Sequence, residues 1–290
     1  MASKDPKRDT RKEYRYNKKS RFATTVANPL GRGDAKKSVA KTVEEFADLQ
    51  EMLYADDRHS LLLVFQGMDA AGKDSTIDKV TSGVNPAGFQ VFSFKKPSSE
   101  EVDHNFLWRC WQRVPERGRI GIFNRSYYEE VLVVKVHPAI VQSRQLPNKE
   151  VDEKFWEQRF EDINSMEKHL ANNGTRVVKF FLNVSKEEQR QRFLSRLERP
   201  EKNWKFSSAD LNERRYWDDY QKAFKEAIES TDKDYAPWYV IPADDKWNMR
   251  VVVANIIVEE LKALDMSFPE PDEAEVALFD AARKELAEDS

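Results

Sequence analysis

The chain has 290 residues, 40% of them hydrophobic and 34% charged, which suffices for one large domain with a substantial core. Its net charge of −3 argues against a global field directed at nucleic acid, and no apolar run of about 18 residues predicts a membrane span. The single cysteine, Cys110, excludes an intrachain disulfide, and the charged N-terminus lacks the apolar core of a signal peptide. We therefore expect a cytoplasmic protein that has no nucleic-acid or membrane partner.

The N-terminal segment differs in charge from the rest of the chain. Residues 1–41 contain 13 Lys and Arg against 4 Asp and Glu, a net charge of +9, so the remainder carries −12. The segment is also poor in large aliphatic side chains. It is predicted to be a basic arm that either docks on the body or stays mobile, which leaves residues 42–290 as a single folded domain.

Helical and apolar patterns alternate after this arm. Helical spacing begins at Val43, ahead of the first of five short apolar runs that predict strands. These runs are residues 61–65, 89–94, 119–123, 177–182 and 238–242. Because helices separate them, we predict an α/β, three-layer fold with a five-stranded, mostly parallel sheet.

Three further segments of the chain are predicted to be helical. Ser98 or Ser99 caps a single helix that carries Val102, Phe106, Trp108 and Trp111. Residues 186–198 form an arginine-rich helix, and residues 268–290 form an acidic surface helix or tail.

The segment after the first strand has the G-x-x-x-x-G-K spacing of a phosphate-binding loop. Its glycines allow the backbone N–H groups to approach phosphates, and a lysine adds a full positive charge. The predicted phosphate-binding residues are Gly67, Ala70, Ala71, Gly72, Lys73, Asp74 and Ser75. Asp74 stands where Ser or Thr is usual, and the nearest hydroxyl, Ser75, comes one place later. The alternative is a turn that needs glycine for its geometry alone.

Further polar residues follow the next strands, and ligands collect at the carboxyl ends of parallel strands. Within the loop, Asp69 is interpreted as a Mg²⁺ ligand or an electrostatic guide, or alternatively as a turn-forming cap. Lys95 follows the second strand. Asn124 ends the third, where a P-loop enzyme usually has a metal-associated Asp. Arg125 offers a planar fork for phosphate oxygens, or alternatively an ion pair with Glu129 or Glu130.

A dense cationic stretch follows the fourth strand. Arg192, Arg196 and Arg199 share one helix face, and Pro200 breaks the helix. We predict a mobile lid over about residues 186–210 that clamps phosphates and excludes water. The alternative is a solvated helix face in which these arginines alternate with glutamates.

Several of these motifs together resemble the polyphosphate kinase 2 family. They are residues 67–75, 94–98, 121–131, 200–206, 216–220 and 236–247, so the resemblance covers roughly residues 30–265. It implies a thymidylate-kinase-like P-loop fold with a helical lid, and a homo-oligomer (dimer or tetramer). It also implies transfer of the terminal phosphate of inorganic polyphosphate to a nucleotide, with Mg²⁺, in a prokaryotic cytoplasm.

The resemblance also implies roles for single residues. Asp69 matches the family's loop carboxylate, linked to metal and catalysis, and Lys73 its phosphate-cradling lysine. Asn124 and Glu129 match the third class of the family, whose members phosphorylate both AMP and ADP and so form ADP and ATP. Arg192 and Arg196 match lid arginines expected to hold polyphosphate. The predicted catalytic residues are Asp69, Lys73, Arg125 and Glu129; the predicted nucleotide-binding residues are Lys95, Asn124, Arg125 and Glu129; and the predicted metal-binding residues are Asp69 and Asn124.

Two other functions remain open from the sequence. One is an ATP-dependent nucleoside monophosphate kinase, which would share the fold and the loop. The other is a non-enzymatic protein that binds polyanions through its arm and lid. The unusual residues Asp74 and Asn124 and the cationic lid favour polyphosphate as the phosphate donor.

Overall fold

A computed structural model describes residues 9–19, 22–147 and 150–288. In these residues the centre of the molecule is one sheet of five parallel strands in the order β2-β3-β1-β4-β5. The strands are β1 Ser60–Gln66, β2 Phe89–Ser93, β3 Ile120–Asn124, β4 Thr175–Asn183 and β5 Trp238–Pro242. The predicted α/β fold with a five-stranded parallel sheet is therefore confirmed.

The apolar runs of the central strands follow from their burial. Every residue of β1, β3 and β5 is buried, because helices cover both faces of the sheet. The first strand lies in the middle, with Phe65 opposite Asn124 on one side and opposite Phe180 on the other. The segments that follow β1 and β3 consequently lie side by side at one edge of the sheet.

The helices in the described ranges are, in chain order, α1 Thr10–Tyr14, α2 Arg32–Asp56, α3 Lys73–Val80, α4 Ser99–Asp103, α5 Trp108–Trp111, α6 Val133–Val136, α7 Ala139–Gln142, α8 Glu153–Asn172, α9 Lys186–Glu198, α10 Ser208–Glu213, α11 Trp217–Thr231, α12 Lys246–Lys262 and α13 Glu273–Glu288. Short 3₁₀ helices lie at Pro86–Gly88, Tyr127–Glu130, Pro200–Lys205 and Arg214–Tyr216. Helices α2, α3 and α12 pack together, as do α8 and α11. In the part of the chain that the structure covers, no helix has the length and apolarity needed to cross a membrane.

The N-terminal arm is shorter than predicted and docks on the body. Helix α2 begins at Arg32, because Ala35 and Val39 are already buried, so residues 32–41 belong to that helix. Upstream, Arg15 forms a β-bridge with Tyr239, and the Tyr16 N–H donates to the Trp238 carbonyl. The arm thus covers the edge of β5, which would otherwise offer unpaired backbone groups. Residues 1–8, 20 and 21 of the predicted arm lie outside the described residues.

The prediction of a single helix after Ser98 is wrong, because the structure has two short helices there, α4 and α5. Ser98 forms the predicted cap, with Glu101 completing a capping box. The Asn105 side chain accepts a hydrogen bond from the Leu107 N–H, and this local turn interrupts the helix. At the C-terminus, α13 is exposed along its whole length, as expected of a surface helix.

Candidate active site

The loop of residues 67–72 joins β1 to α3 and requires glycine at both ends. Gly67 has φ 151° and Gly72 has φ 109°, both in the region that side chains rarely adopt. A Cβ on Gly67 would lie 2.7 Å from the Leu182 carbonyl oxygen, and one on Gly72 3.1 Å from Met249 Cε. Since α3 begins directly at Lys73, its N-terminal N–H groups adjoin the loop and favour an anion there.

The side chain of Lys73 folds back across this loop. Its Nζ donates to the carbonyls of Gly67 (2.7 Å) and Met68 (3.3 Å). Burial lowers the pKa of Lys73 to about 8, and the neighbouring charge of Arg125 acts in the same direction. The two hydrogen bonds hold the Lys73 side chain inside the loop.

The two residues that depart from the usual P-loop pattern contact each other. Asn124, at the end of β3, donates from Nδ2 to Oδ1 of Asp74 at 2.6 Å. The nearby hydroxyl of Ser75 donates to the Gly72 carbonyl at 3.1 Å, so its proton is used within the loop. The neutral amide of Asn124 therefore places a hydrogen-bond donor, and no like charge, beside the carboxylate of Asp74.

Arg125 bridges two of the predicted catalytic carboxylates. Its Nη2 donates to Asp69 Oδ1 at 2.5 Å and its Nη1 to Glu129 Oε2 at 3.1 Å. The charge of Glu129 raises the pKa of Arg125, so the guanidinium remains protonated. The ion pair with Glu129 that the sequence left as an alternative is thus present, in the same cluster as Lys73.

Arg125 itself has φ 63°, an uncommon conformation for a residue with a side chain. It is held there by a hydrogen bond from its N–H to the Phe65 carbonyl (3.1 Å) and by the buried segment that follows. The hydroxyls of Tyr127 and Tyr128 both donate to Glu167 Oε1 at 2.8 Å. The sequence analysis missed this support, because two tyrosines before a glutamate give no distinctive pattern.

Below these tyrosines lies an ion pair without solvent contact. Lys179 Nζ donates to Glu167 Oε2 at 2.6 Å, and both side chains are 0% exposed. Lys179 also donates to the Tyr128 hydroxyl (3.0 Å) and to the Thr231 carbonyl (2.8 Å). Burial lowers the pKa of Lys179, against the opposing charge of Glu167. This network fixes the 3₁₀ helix Tyr127–Glu130, and with it the backbone that carries Glu129.

A cleft of about 1040 Å³ runs from the phosphate loop to the predicted lid. Asp69, Lys73, Asn124 and Arg125 line it, so the main predicted site residues share one cavity. Its other basic residues are Lys95, Arg192, Arg196, Lys202, Lys205, Lys246 and Arg250.

Lys246 and Arg250, in the first turns of α12, are the cations that the sequence analysis overlooked. The available signal was their place soon after β5, the same strand-end rule that selected Lys95 and Asn124. Burial lowers the pKa of Lys246 to about 8, and the charge of Arg192 adds to this effect. Desolvation likewise lowers the pKa of Arg250.

The predicted lid, about residues 186–210, comprises α9, the 3₁₀ helix Pro200–Lys205 and the first turn of α10. Arg196 faces the cleft, where its Nη1 donates to the Lys205 carbonyl and to Asp210 Oδ2, both at 3.2 Å. Trp204 lines the same cleft and is 78% exposed. Arg192 also lines the cleft, but its side chain is buried and its Nη1 donates to the Ala70 and Ala71 carbonyls of the loop.

The residues suit a metal ion that arrives with the substrate. In the described ranges, no group of three or more His, Cys, Asp and Glu side chains could hold a metal by itself. Asp69 and Asp74 do line the cleft, beside the amide of Asn124. Mg²⁺ is commonly bound by one or two carboxylates together with substrate phosphates, and this set of oxygen ligands fits that arrangement.

Comparison with known proteins identifies the family. A family model described as Polyphosphate kinase 2 (PPK2) matches residues 30–269. The chain belongs to the polyphosphate kinase 2 family. The resemblance inferred from the motifs is therefore confirmed, over almost the same residues.

Relatives in this family are similar over most of their length. The ADP-polyphosphate phosphotransferase of Rhodopseudomonas palustris is 58% identical over 229 residues, 79% of each chain. The AMP/ADP-polyphosphate phosphotransferase of Meiothermus ruber is 44% identical over 270 residues, 91% of this chain and 97% of that one. The crystal structure of Polyphosphate Kinase 2 from Arthrobacter aurescens TC1 superposes with a TM-score of 0.84 at 36% identity, covering 93% and 96% of the two chains.

Proposed function

We propose that this protein transfers the terminal phosphate of inorganic polyphosphate to AMP and to ADP, forming ADP and ATP. The observation that carries the proposal is the extent of the cationic lining of the cleft. Lys73 and Arg125 lie at the loop, and Lys202, Lys246 and Arg250 continue the lining beyond it. Each internal unit of polyphosphate carries about one negative charge, as in a nucleic-acid backbone, so a long donor needs such a continuous lining.

The charges at the loop suit phosphoryl transfer, which depends on positioning and charge neutralisation more than on covalent chemistry. The loop N–H groups and Lys73 bind the transferred phosphate, and Arg125 binds oxygens between donor and acceptor. Asp69, held at 2.5 Å from Arg125, orients that guanidinium. Asp69 or Asp74 would hold Mg²⁺ together with substrate phosphates, and the ion would supply further charge neutralisation.

The acceptor occupies the end of the cleft near Lys95 and Asn124. Glu129 lines a small neighbouring pocket that shares Asp69 and Arg125 with the cleft. AMP is one phosphate shorter than ADP, so the site must support an acceptor that reaches less far. Glu129, whose carboxylate accepts a hydrogen bond from Arg125, would hold a water or a metal ion against the AMP phosphate. The printed names of the two relatives, one for ADP and one for both nucleotides, support this acceptor class.

Two parallel incubations with different phosphate donors separate the proposal from its alternatives. Purified protein is mixed with AMP and Mg²⁺ and given either polyphosphate or ATP as the donor, and the nucleotides are then resolved. We expect ADP and ATP with polyphosphate, and no product with the Lys73→Met variant. Product formed only with ATP as the donor would identify a nucleoside monophosphate kinase. Polyphosphate binding without turnover would identify a polyanion-binding protein.

The proposal includes a homo-oligomer, dimer or tetramer, in a cytoplasm where nucleotides and polyphosphate are both available. Light scattering of the purified protein tests the first part, and a monomer at micromolar concentration would contradict it. Fractionation of the native cells tests the second part.

A further inference from the structure

We propose that Gln189 and Arg192 brace the phosphate loop from outside, and that they position it rather than bind the phosphate chain themselves. Both residues lie in the first two turns of α9, three positions apart, so their side chains share one helix face. Both are buried, with 1% and 7% of their surface exposed. The inference rests on the proposed function only for its kinetic test.

The two side chains bind three consecutive carbonyls of the loop. Gln189 Nε2 donates to the Asp69 carbonyl at 2.9 Å. Arg192 Nη1 donates to the carbonyls of Ala70 (2.9 Å) and Ala71 (2.8 Å). Side chains of α9 therefore donate hydrogen bonds to the carbonyl groups of the loop. Residues of the same loop line the cleft.

The loop needs such support because one of its residues is strained. Ala70 has φ 62°, in the left-handed region that glycine adopts freely and alanine does not. Backbone in sparsely populated conformations persists only where surrounding contacts determine it. Successive N–H groups in loops of this kind form the concave anion site. Gln189 binds the carbonyl that precedes Ala70 and Arg192 binds the carbonyl of Ala70 itself, so the two side chains flank the strained residue and hold its conformation.

Arg192 has no N–H group left for a phosphate. An arginine side chain carries five donors. Besides the two bonds from Nη1, its Nη2 donates to the carbonyls of Ala243 (2.6 Å) and Asp244 (3.0 Å), and its Nε donates to Glu188 Oε1 (2.7 Å). The rigid fork thus joins the loop after β1 to the loop after β5, a geometry that the single ammonium of lysine cannot reproduce.

The brace also reaches the far end of the lid. Gln189 Oε1 accepts a bond from Arg214 Nη1 at 2.7 Å, and the same atom of Arg214 donates to the Lys186 carbonyl at 2.8 Å. The base of α9 is therefore fixed both to the phosphate loop and to the segment that follows α10. Movement of the lid must then occur beyond Arg192, towards the helix break at Pro200.

The test compares Arg192→Lys and Gln189→Ala with the wild-type protein. Arg192→Lys keeps the charge and loses the fork, and Gln189→Ala removes no charge at all. The control is Arg190→Lys on the same helix, an exposed arginine that pairs with Glu187. Hydrogen exchange of the amides at 68–74 is measured in the folded proteins, together with kcat and KM for polyphosphate.

If the two residues brace the loop, hydrogen exchange of the loop amides will be at least tenfold faster in both variants, and exchange of the β4 amides will be unchanged. We also expect kcat to fall about tenfold or more in both variants, while Arg190→Lys behaves as wild type. Should Arg192→Lys fail to fold, Gln189→Ala carries the test alone. Unchanged loop exchange in the folded variants, with only the KM for polyphosphate raised in Arg192→Lys, overturns the proposal. A wild-type protein without turnover would sink the proposed function, and the exchange result would still decide this one.

Discussion

Asn124 donates a hydrogen bond to Asp74 at 2.6 Å, so the two departures from the usual P-loop pattern form one interacting pair. The usual pattern places a hydroxyl at the first helical turn and a carboxylate at the strand end. Here the carboxylate lies on the helix and the neutral partner on the strand. The local charge is thus the same as in the usual pattern, with the two roles exchanged between α3 and β3.

This exchange predicts non-additive effects of mutation. In Asn124→Asp, two carboxylates would lie within hydrogen-bond distance, and their repulsion disfavours the ionised form of both. We expect kcat/KM to fall about 10- to 100-fold, with a higher Mg²⁺ requirement. Asn124→Asp with Asp74→Ser restores a single carboxylate and recovers most of the activity. A double-mutant cycle on kcat/KM measures this, and losses that simply add would refute the pairing.

Glu129 is predicted to decide whether AMP is accepted. Its carboxylate accepts a hydrogen bond from Arg125 at 3.1 Å, and an asparagine would remove the charge and shorten the side chain by one methylene group. We expect Glu129→Asn to lower ADP formation from AMP more than about tenfold, with ATP formation from ADP within about threefold of wild type. Steady-state rates with each acceptor measure this, with Glu129→Asp as the charge-retaining control. Equal losses with both acceptors would count against the assignment.

Polyphosphate binding is predicted to weaken above about pH 8. Burial lowers the pKa of both Lys73 and Lys246 to about 8, so each loses its positive charge as the pH rises through that value. The KM for polyphosphate should therefore rise between pH 7.5 and 9.5, in a range where arginines remain charged. Lys246→Arg keeps the charge and should flatten part of the rise. A KM independent of pH over this range would show that these lysines do not bind the donor.

The ion pair between Glu167 and Lys179 is predicted to matter for stability. Lys179→Met would leave a carboxylate without its cation at 0% exposure, which costs about 3–5 kcal/mol. The double variant with Glu167→Gln removes both charges and should recover much of that loss. Urea unfolding of the three proteins measures the free energies. If both variants lost the same amount, the buried charge would not be the cause.

The sequence predicted the sheet and the cluster at its edge because both follow from local patterns. Uninterrupted apolar runs marked the strands, and the strand-end rule brought Asp69, Lys73, Asn124 and Arg125 together. The failures have a different cause. The role of Arg192 depends on carbonyls about 120 and 50 positions away, and the buried pair of Glu167 with Lys179 joins α8 to β4. Helix α2 begins at Arg32, whereas the pattern used to predict it begins at Val43. The turn at Asn105 divides the single helix predicted after Ser98 into α4 and α5.

The central claim is that donor and acceptor bind in one cleft whose cations reach from the phosphate loop to α12. A crystal structure with bound inorganic polyphosphate tests it most directly. We predict a phosphate within hydrogen-bond distance of Lys73 Nζ, with the polyphosphate chain continuing past Lys246 and Arg250. A chain bound only along the N-terminal arm, or on the outer face of the lid, would contradict it.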